Sequence, residues 1–472
     1  MTDYHLSKRA AYNSVHGDVW GPREQSMGNP WSPFNPTGTV NLRLAENSLM
    51  HEEIAQSIKS EINVLPLEHL TYSTGPRGSR RLRGAAAEFL NQAFHSCQPI
   101  TANDIFVTPG LASGIDALAW CICNDGDGIL IPQPLYNGFR VDLLSRSNAH
   151  VVPVPYTGVD GYSSLDDLFR PDVNRKALKA AFERAQDSGI TVRALLISNP
   201  HNPLGRCYPP ETIEEFILFC AAHRLHLISD EIYAHSVFKN PALPNATPFV
   251  SILSLNLVNS HTIDPTMIHV LYGASKDFCA NGLRLGIVCT RNQGIIRAMS
   301  SISMFSWSPH LLHDVWARML EDEQWLKSFM ARKRELMADH YEIAARFFRE
   351  CGIPFYEMNA GLFFWINLQH LIFPDSKSSS ESASTDTSKK PSSLSITSSD
   401  SDEHRRREQR ICNICMEHGV LIAPGHVYMA EEPGWFRITF TVGREALEEG
   451  LKRLKKSLLR VRAESEEGVK PQ

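Results

Sequence analysis

From Arg80 onward, Leu82, Ala86, Phe89, Leu90 and Phe94 recur at helical spacing and predict an amphipathic helix with one buried face. The pattern then changes to short apolar runs at Ile105–Val107, Gly128–Ile131, His150–Val154, Val192–Ser198, Leu225–Ser229 and Met267–Leu271. Runs of that length predict buried strands, and the helical periodicity between several of them predicts a largely parallel sheet covered by helices. Ligands bind such sheets where the strands end, so the loops after these runs are where chemistry is expected. After about residue 300 the alternation stops. Helical patterns over Pro309–Arg349, followed by strand-like Ile353–Met358 and Gly361–Leu368, predict a smaller α/β domain, with a last amphipathic helix over Glu445–Arg460.

Two stretches lack any period. Residues 1–40 carry Pro22, Pro30, Pro33 and Pro36 among several glycines and read as an extended arm, not an independent domain, with a frayed terminus as the plain reading. Between Asp375 and Arg407, serine, lysine and aspartate replace almost all aliphatics, so this insert buries too little to fold and is expected as a solvated or disordered loop. A tolerated surface insertion outweighs a regulatory phosphorylation site there. The expected division is residues 1–70 as arm and part of a small domain, 71–308 as a large domain, and 309–472 as the rest of the small domain with its insert at 375–407.

Composition narrows the class. A chain of 472 residues with 43% hydrophobic content can bury one large core and a smaller one. Lys plus Arg (47) against Asp plus Glu (52) leaves a net charge of −5, so no basic field recruits nucleic acid, and a small-molecule role is favoured. Charged residues interrupt every apolar run in residues 1–30, which argues against a signal peptide or membrane span and for a cytoplasmic protein. Cysteines such as Cys121, Cys123, Cys220 and Cys289 lie in apolar segments, as reduced core residues do. Cys412, Cys415 and His418 have the spacing of half a zinc site, but no second pair completes it and no metal is expected.

The strand-end loops carry the candidate chemistry. Leu271–Gly286 reads LYGASKDFCANGLRLG: small residues lead from a buried run into Lys276, where a lysine at the mouth of a buried site can form a Schiff base with an aldehyde cofactor. Taken alone, Ser-Lys-Asp is more often a surface charge. Thr108–Gly114 opens an apolar helix whose free amides suit a phosphate, although a plain turn explains its glycines as well. Ser198–Gly205 contains two Asn-Pro pairs that fix an amide at a strand end. Ser229–Tyr233 places Asp230 at the end of a buried run, where a carboxylate is costly unless it meets a positive partner. Tyr136, in Pro132–Phe139, reads equally as core.

Together these loops resemble those of the class I/II aminotransferase family, fold-type I enzymes that use pyridoxal 5'-phosphate (PLP), in the branch similar to 1-aminocyclopropane-1-carboxylate (ACC) synthase. The resemblance runs from Asn41–Asn47 to Trp435–Phe440 and lapses in the insert and at both ends. It implies an α/β fold-type I transferase with a large, mostly parallel domain and a smaller C-terminal one, and an N-terminal arm that crosses to a partner subunit as a clasp. By resemblance Lys276 carries the cofactor and moves the substrate's α proton, and Asp230 pairs with the pyridine nitrogen. Asn202 and Tyr233 share its phenolic oxygen, and Tyr136 stacks on its ring. Leu111, Ala112, Ser275 and Arg284 hold its phosphate, joined by Tyr72 from the neighbouring subunit of a homodimer with shared active sites. Arg437 clamps the α-carboxylate of an amino acid substrate, and Glu46 bears on substrate handling. The branch pattern has a second serine where this chain has Gly273, and Tyr-His-Gly where it has Pro76-Arg77-Gly78. The implied activity is aminotransferase-like and proceeds through an external aldimine. A carbon–sulfur lyase acting on S-adenosylmethionine or a sulfur-substituted amino acid, and a non-catalytic scaffold of the same fold, are the alternatives.

Overall fold

Residues 28–62, 67–256, 263–372 and 398–467 are described by a computed structural model. Most of the expected arm, residues 1–27, lies outside them. At the first described turn the Asn35 side-chain amide donates to the Pro30 carbonyl (2.8 Å) and to Asn29 (2.7 Å), and the chain then enters strand β1 (Val40–Asn41).

The six apolar runs become β2 (Ile105–Thr108), β3 (Gly128–Pro132), β4 (His150–Val154), β5 (Val192–Ser198), β6 (His226–Asp230) and β7 (Ile268–Gly273). A further strand that the alternation did not single out, β8 (Gly286–Thr290), completes a seven-stranded sheet in the order β2-β8-β7-β6-β5-β3-β4. The sheet is parallel except for β8, which runs antiparallel to both β2 and β7. Register sets the strand ends level: Ser198 lies opposite Asp230, Asp230 opposite Leu271, Gly273 opposite Gly286, and Gly286 opposite Thr108. Four strands run past the apolar runs, to Thr108, Pro132, Asp230 and Gly273, because hydropathy cannot register a polar or small residue that still makes ladder hydrogen bonds.

The helix Arg80–Ala93 starts at Ser79, whose hydroxyl accepts the Leu82 amide (3.1 Å), and buries Leu82, Ala86, Phe89 and Leu90. Such a cap satisfies an amide that would otherwise lack a partner at the helix start, worth about 1 kcal/mol. The helix Leu111–Ile122 is almost wholly apolar and packs on β7 and β8.

The chain divides into two compact units. The larger comprises Glu46–Asp339 and Glu357–Leu362, so the divisions expected at 70 and 308 both fall inside it. The helix His310–Glu321, expected in the small domain, belongs here because Val315, Trp316, Met319 and Leu320 are buried and the helix packs on Arg80–Ala93. The smaller unit holds the described residues before Glu46, His340–Tyr356 and those from Phe363 onward. Its antiparallel sheet joins β9 (Phe355–Tyr356), β10 (Phe363–Asn367), β12 (Ala423–Pro424) and β13 (Trp435–Thr439), and β1 pairs in parallel with β11 (Val420–Leu421).

The expectation of a solvated loop through Arg407 needs correction at its end, since a helix runs over Ser398–Glu417. Arg407 pairs with Glu403 one turn back (2.9 Å) and donates to the Ile372 carbonyl (2.7 Å), and the same helix buries Glu408, Ile411 and Cys415. Residues 373–397 lie outside the described residues. Among the described residues no helix is long and apolar enough to cross a membrane, and no cluster of side chains suits a metal ion.

Candidate active site

At the carboxyl edge of the large sheet, β8 brings Arg284 against the loop that follows β2. Arg284 has left-handed backbone angles (φ 55°, ψ 53°), and its guanidinium donates to the carbonyls of Asn281 (2.8 Å) and Pro109 (3.3 Å). It lies over Gly110, where any Cβ would collide with the guanidinium and where φ is +83°. Glycine there clears space for a cation at the start of the helix Leu111–Ile122, whose first amides, those of Leu111 and Ala112, have no partner within their own helix. A helix N-terminus beside a guanidinium is an anion site. Gly273 is explained by contact as well. A Cβ there would stand 2.8 Å from the Leu285 carbonyl oxygen, so the serine of the branch pattern does not fit. Ser275 lies buried in the turn Ala274–Asp277 just beyond it.

Asp230 ends β6, is buried, and accepts the Ile232 amide (3.2 Å). Burial pushes its carboxyl up to about 7, opposed by that hydrogen bond and by the positive charge of Lys276. Asp142 is also pushed up to about 7, by burial and then by Asp116 and Asp230. This acidic corner favours a cationic group beside Asp230. In the adjacent loops Asn199 bonds the Val250 carbonyl (3.0 Å) and the Tyr208 amide (3.1 Å), which fixes the turn carrying buried Asn202. Asn202 and Tyr136 line one small cavity with Phe139, His201 and Tyr208. Tyr233 is buried three residues beyond Asp230.

Lys276 is half-buried in the four-residue helical turn Ala274–Asp277. Sequence reasoning passed over its neighbours. Asp277 is fully buried and paired with fully buried Lys333 (3.2 Å), and Asn281 donates its side-chain amide to Glu46 (2.7 Å). A signal for Lys333 existed, because it falls between buried Phe329 and Met337 on the apolar face of the helix Glu323–Glu350.

Tyr72 is 84% exposed, its ring edge-on to Trp307 (6.3 Å). Arg437, in the smaller unit, is buried on β13 with its guanidinium over the rings of Tyr428 (4.7 Å) and Phe363 (4.8 Å) and donates to the Arg43 carbonyl (3.1 Å).

Residues 37–454 match the family model described as aminotransferase class I and II. The chain belongs to that family. Among its relatives, a mouse protein named probable inactive 1-aminocyclopropane-1-carboxylate synthase-like protein 2 is 31% identical over 439 residues, covering 92% of this chain and 69% of the relative. The probable aminotransferase gliI of Aspergillus fumigatus is 32% identical over 418 residues, 88% of each chain. The 1-aminocyclopropane-1-carboxylate synthase 11 of Arabidopsis thaliana is 28% identical over 437 residues, 90% of this chain and 86% of that one. An aspartate aminotransferase from Thermus thermophilus shares the fold at a TM-score of 0.67 and 19% identity, with 96% of this chain and 99% of that one covered.

Aminotransferases of this family are PLP-dependent. The residues present fit that group: a buried carboxyl raised by burial suits a pyridinium, and the guanidinium cleared by Gly110 beside a helix start suits a phosphate.

Proposed function

We propose that this chain is a PLP-dependent enzyme acting on a free α-amino acid, with aminotransferase-like chemistry. The observation that carries the reading is the level alignment of strand ends, which sets Asp230, the Lys276 turn and the Arg284 corner along one edge of the sheet. When bound, PLP supplies an electron sink that stabilises negative charge at the substrate's α carbon. In this reading Lys276 holds the cofactor through its amine and moves the α proton, while Asp230 keeps the pyridine nitrogen protonated. Asn202 and Tyr233 donate to the phenolic oxygen, and Tyr136 covers one face of the ring. Leu111, Ala112, Ser275 and Arg284 take the phosphate, and Arg437 takes the substrate's α-carboxylate by a forked contact. Glu46 is assigned to substrate handling.

A homodimer with shared active sites is part of the proposal. Tyr72 is 84% exposed, so its side chain is accessible to a second subunit. Tyr72 is assigned to the partner's phosphate, and light scattering tests the dimer.

The reaction is decided by products. Incubation with candidate amino acids should give pyridoxamine phosphate and a 2-oxo acid if the enzyme transaminates. Pyruvate with ammonia, a thiol, or methylthioadenosine would mark carbon–sulfur elimination instead. The visible absorbance of bound cofactor should disappear in Lys276→Ala. A wild type that binds PLP yet turns over no amino acid would identify a non-catalytic scaffold.

A further inference from the structure

Lys276 is followed directly by the most completely satisfied carboxylate among the loops just described. Asp277 Oδ1 accepts from Ser236 Oγ (2.6 Å) and Lys333 Nζ (3.2 Å), and Oδ2 accepts from the His235 amide (2.8 Å) and Tyr272 Oη (3.1 Å). Lys333 Nζ donates again to the Asp277 backbone carbonyl (2.8 Å). Both charged side chains are fully buried. The donors come from three places: the end of β7, the helix Glu323–Glu350, and the segment just beyond Tyr233, where the Ser236 amide donates to the Tyr233 carbonyl (2.9 Å). One carboxylate therefore joins the Lys276 turn to the loop carrying Asp230 and Tyr233.

Stability does not account for this arrangement. A buried ion pair gains little or nothing over apolar residues of the same volume, because desolvation cancels the attraction. Its neighbours on the helix face are Phe329, Met330 and Met337, all buried, so an apolar side chain at 333 would suit the packing. A fully satisfied buried network instead enforces a single arrangement, since any shift leaves a donor or charge without its partner.

We propose that Asp277 and Lys333 are positioning residues whose buried pair holds the Lys276 amine in fixed relation to Asp230 and Tyr233, which rests on the role proposed for Lys276. Neither residue touches the cofactor in this role. The pair acts through the backbone of the lysine turn, and because it is neutral overall it sets position more than local potential.

The double variant Asp277→Asn/Lys333→Met tests this, because it removes both charges together, nearly preserves shape and leaves no charge stranded. Three quantities are compared with wild type: the unfolding midpoint of cofactor-free protein, the pH midpoint of the bound-cofactor absorbance, and kcat against KM on the best amino acid found. A positioning role moves the pH midpoint by about 1 unit and lowers kcat at least roughly tenfold, with KM changed less than about threefold and unfolding shifted only a few degrees. An unchanged pH midpoint and kcat would overturn it, as would a fall in activity that merely tracks lost folded protein. Should the double variant not fold, Ser236→Ala decides, since it removes one donor to Asp277 and leaves the charges paired. It should shift the same midpoint in the same direction by less, and no shift would overturn the proposal. Wild type without a cofactor band would sink the assignment of Lys276 itself, whereas a normal wild-type band with an unaltered variant sinks only the positioning role.

Discussion

The Asn281 side-chain amide donates to the Glu46 carboxylate at 2.7 Å, joining the start of the large unit to the turn from which Arg284 projects. Asn281 should then orient Glu46. Asn281→Ala is expected to raise KM for the amino acid roughly three- to tenfold with cofactor absorbance unchanged. Combined with Glu46→Ala it should add little, because the two residues act as one unit. Steady-state kinetics of both single variants and the double variant check this, and additive losses would separate the residues.

Gly110→Ala should weaken cofactor retention. The new methyl group meets the Arg284 guanidinium, and the positive φ adds backbone strain of about 1 kcal/mol or more. Displacement of the guanidinium should raise the PLP dissociation constant at least about tenfold, read by absorbance titration. Gly273→Ser should behave similarly, because its side chain meets a backbone carbonyl that cannot move aside.

Asp230 makes the stability of cofactor-free protein depend on pH. Its folded-state carboxyl, pushed up to about 7, lies above the ordinary value of about 4, so the stability it permits is fully present below about 4 and is lost as pH rises through about 7. Asp230→Asn abolishes that loss. The cofactor-free variant should match wild type near pH 4 and exceed it above about 7, by up to about 4 kcal/mol. Denaturant unfolding at several pH values measures the difference. Asp142 and Glu231 are pushed up to about 7 as well, by burial first and each in part by the Asp230 charge, so Asp230→Asn also relieves both and adds to the variant's advantage at high pH.

Arg437→Lys should lose roughly 2 to 5 kcal/mol in kcat/KM while cofactor absorbance persists. An ammonium cannot reproduce a planar fork, and it also forfeits the planar stacking of the guanidinium on Phe363 and Tyr428. Equal kcat/KM values would remove Arg437 from substrate binding.

What the sequence disclosed follows from where chemistry sits on a sheet. Asp230 and Lys276 each come directly after a buried run, so hydropathy located the loops, and residue type together with family resemblance supplied the candidate roles. Pairings across long sequence distances stayed hidden. Lys333 meets Asp277 across 56 residues, and a lysine on an apolar helix face reads as a side chain reaching for water until its partner is seen. The two rings against Arg437 likewise come from separate segments. Gly110 read as an ordinary turn because the guanidinium that requires it lies 174 residues further along, a separation fixed by β8. The helical end of the insert was missed because its serine-rich beginning dominates the local composition.

Strand β8 has a consequence for how the protein acquires its cofactor. It is the last strand of the large sheet in chain order, yet it lies between β2, the first, and β7. The corner proposed for the phosphate therefore forms only when the earliest and latest strands of that sheet have closed on one another, a slow step because it joins distant parts of the chain. A nascent chain that has not yet emitted Thr290 has no such corner. Cofactor held at that corner would stabilise only the closed sheet, so loading would follow closure of the sheet and not template its beginning.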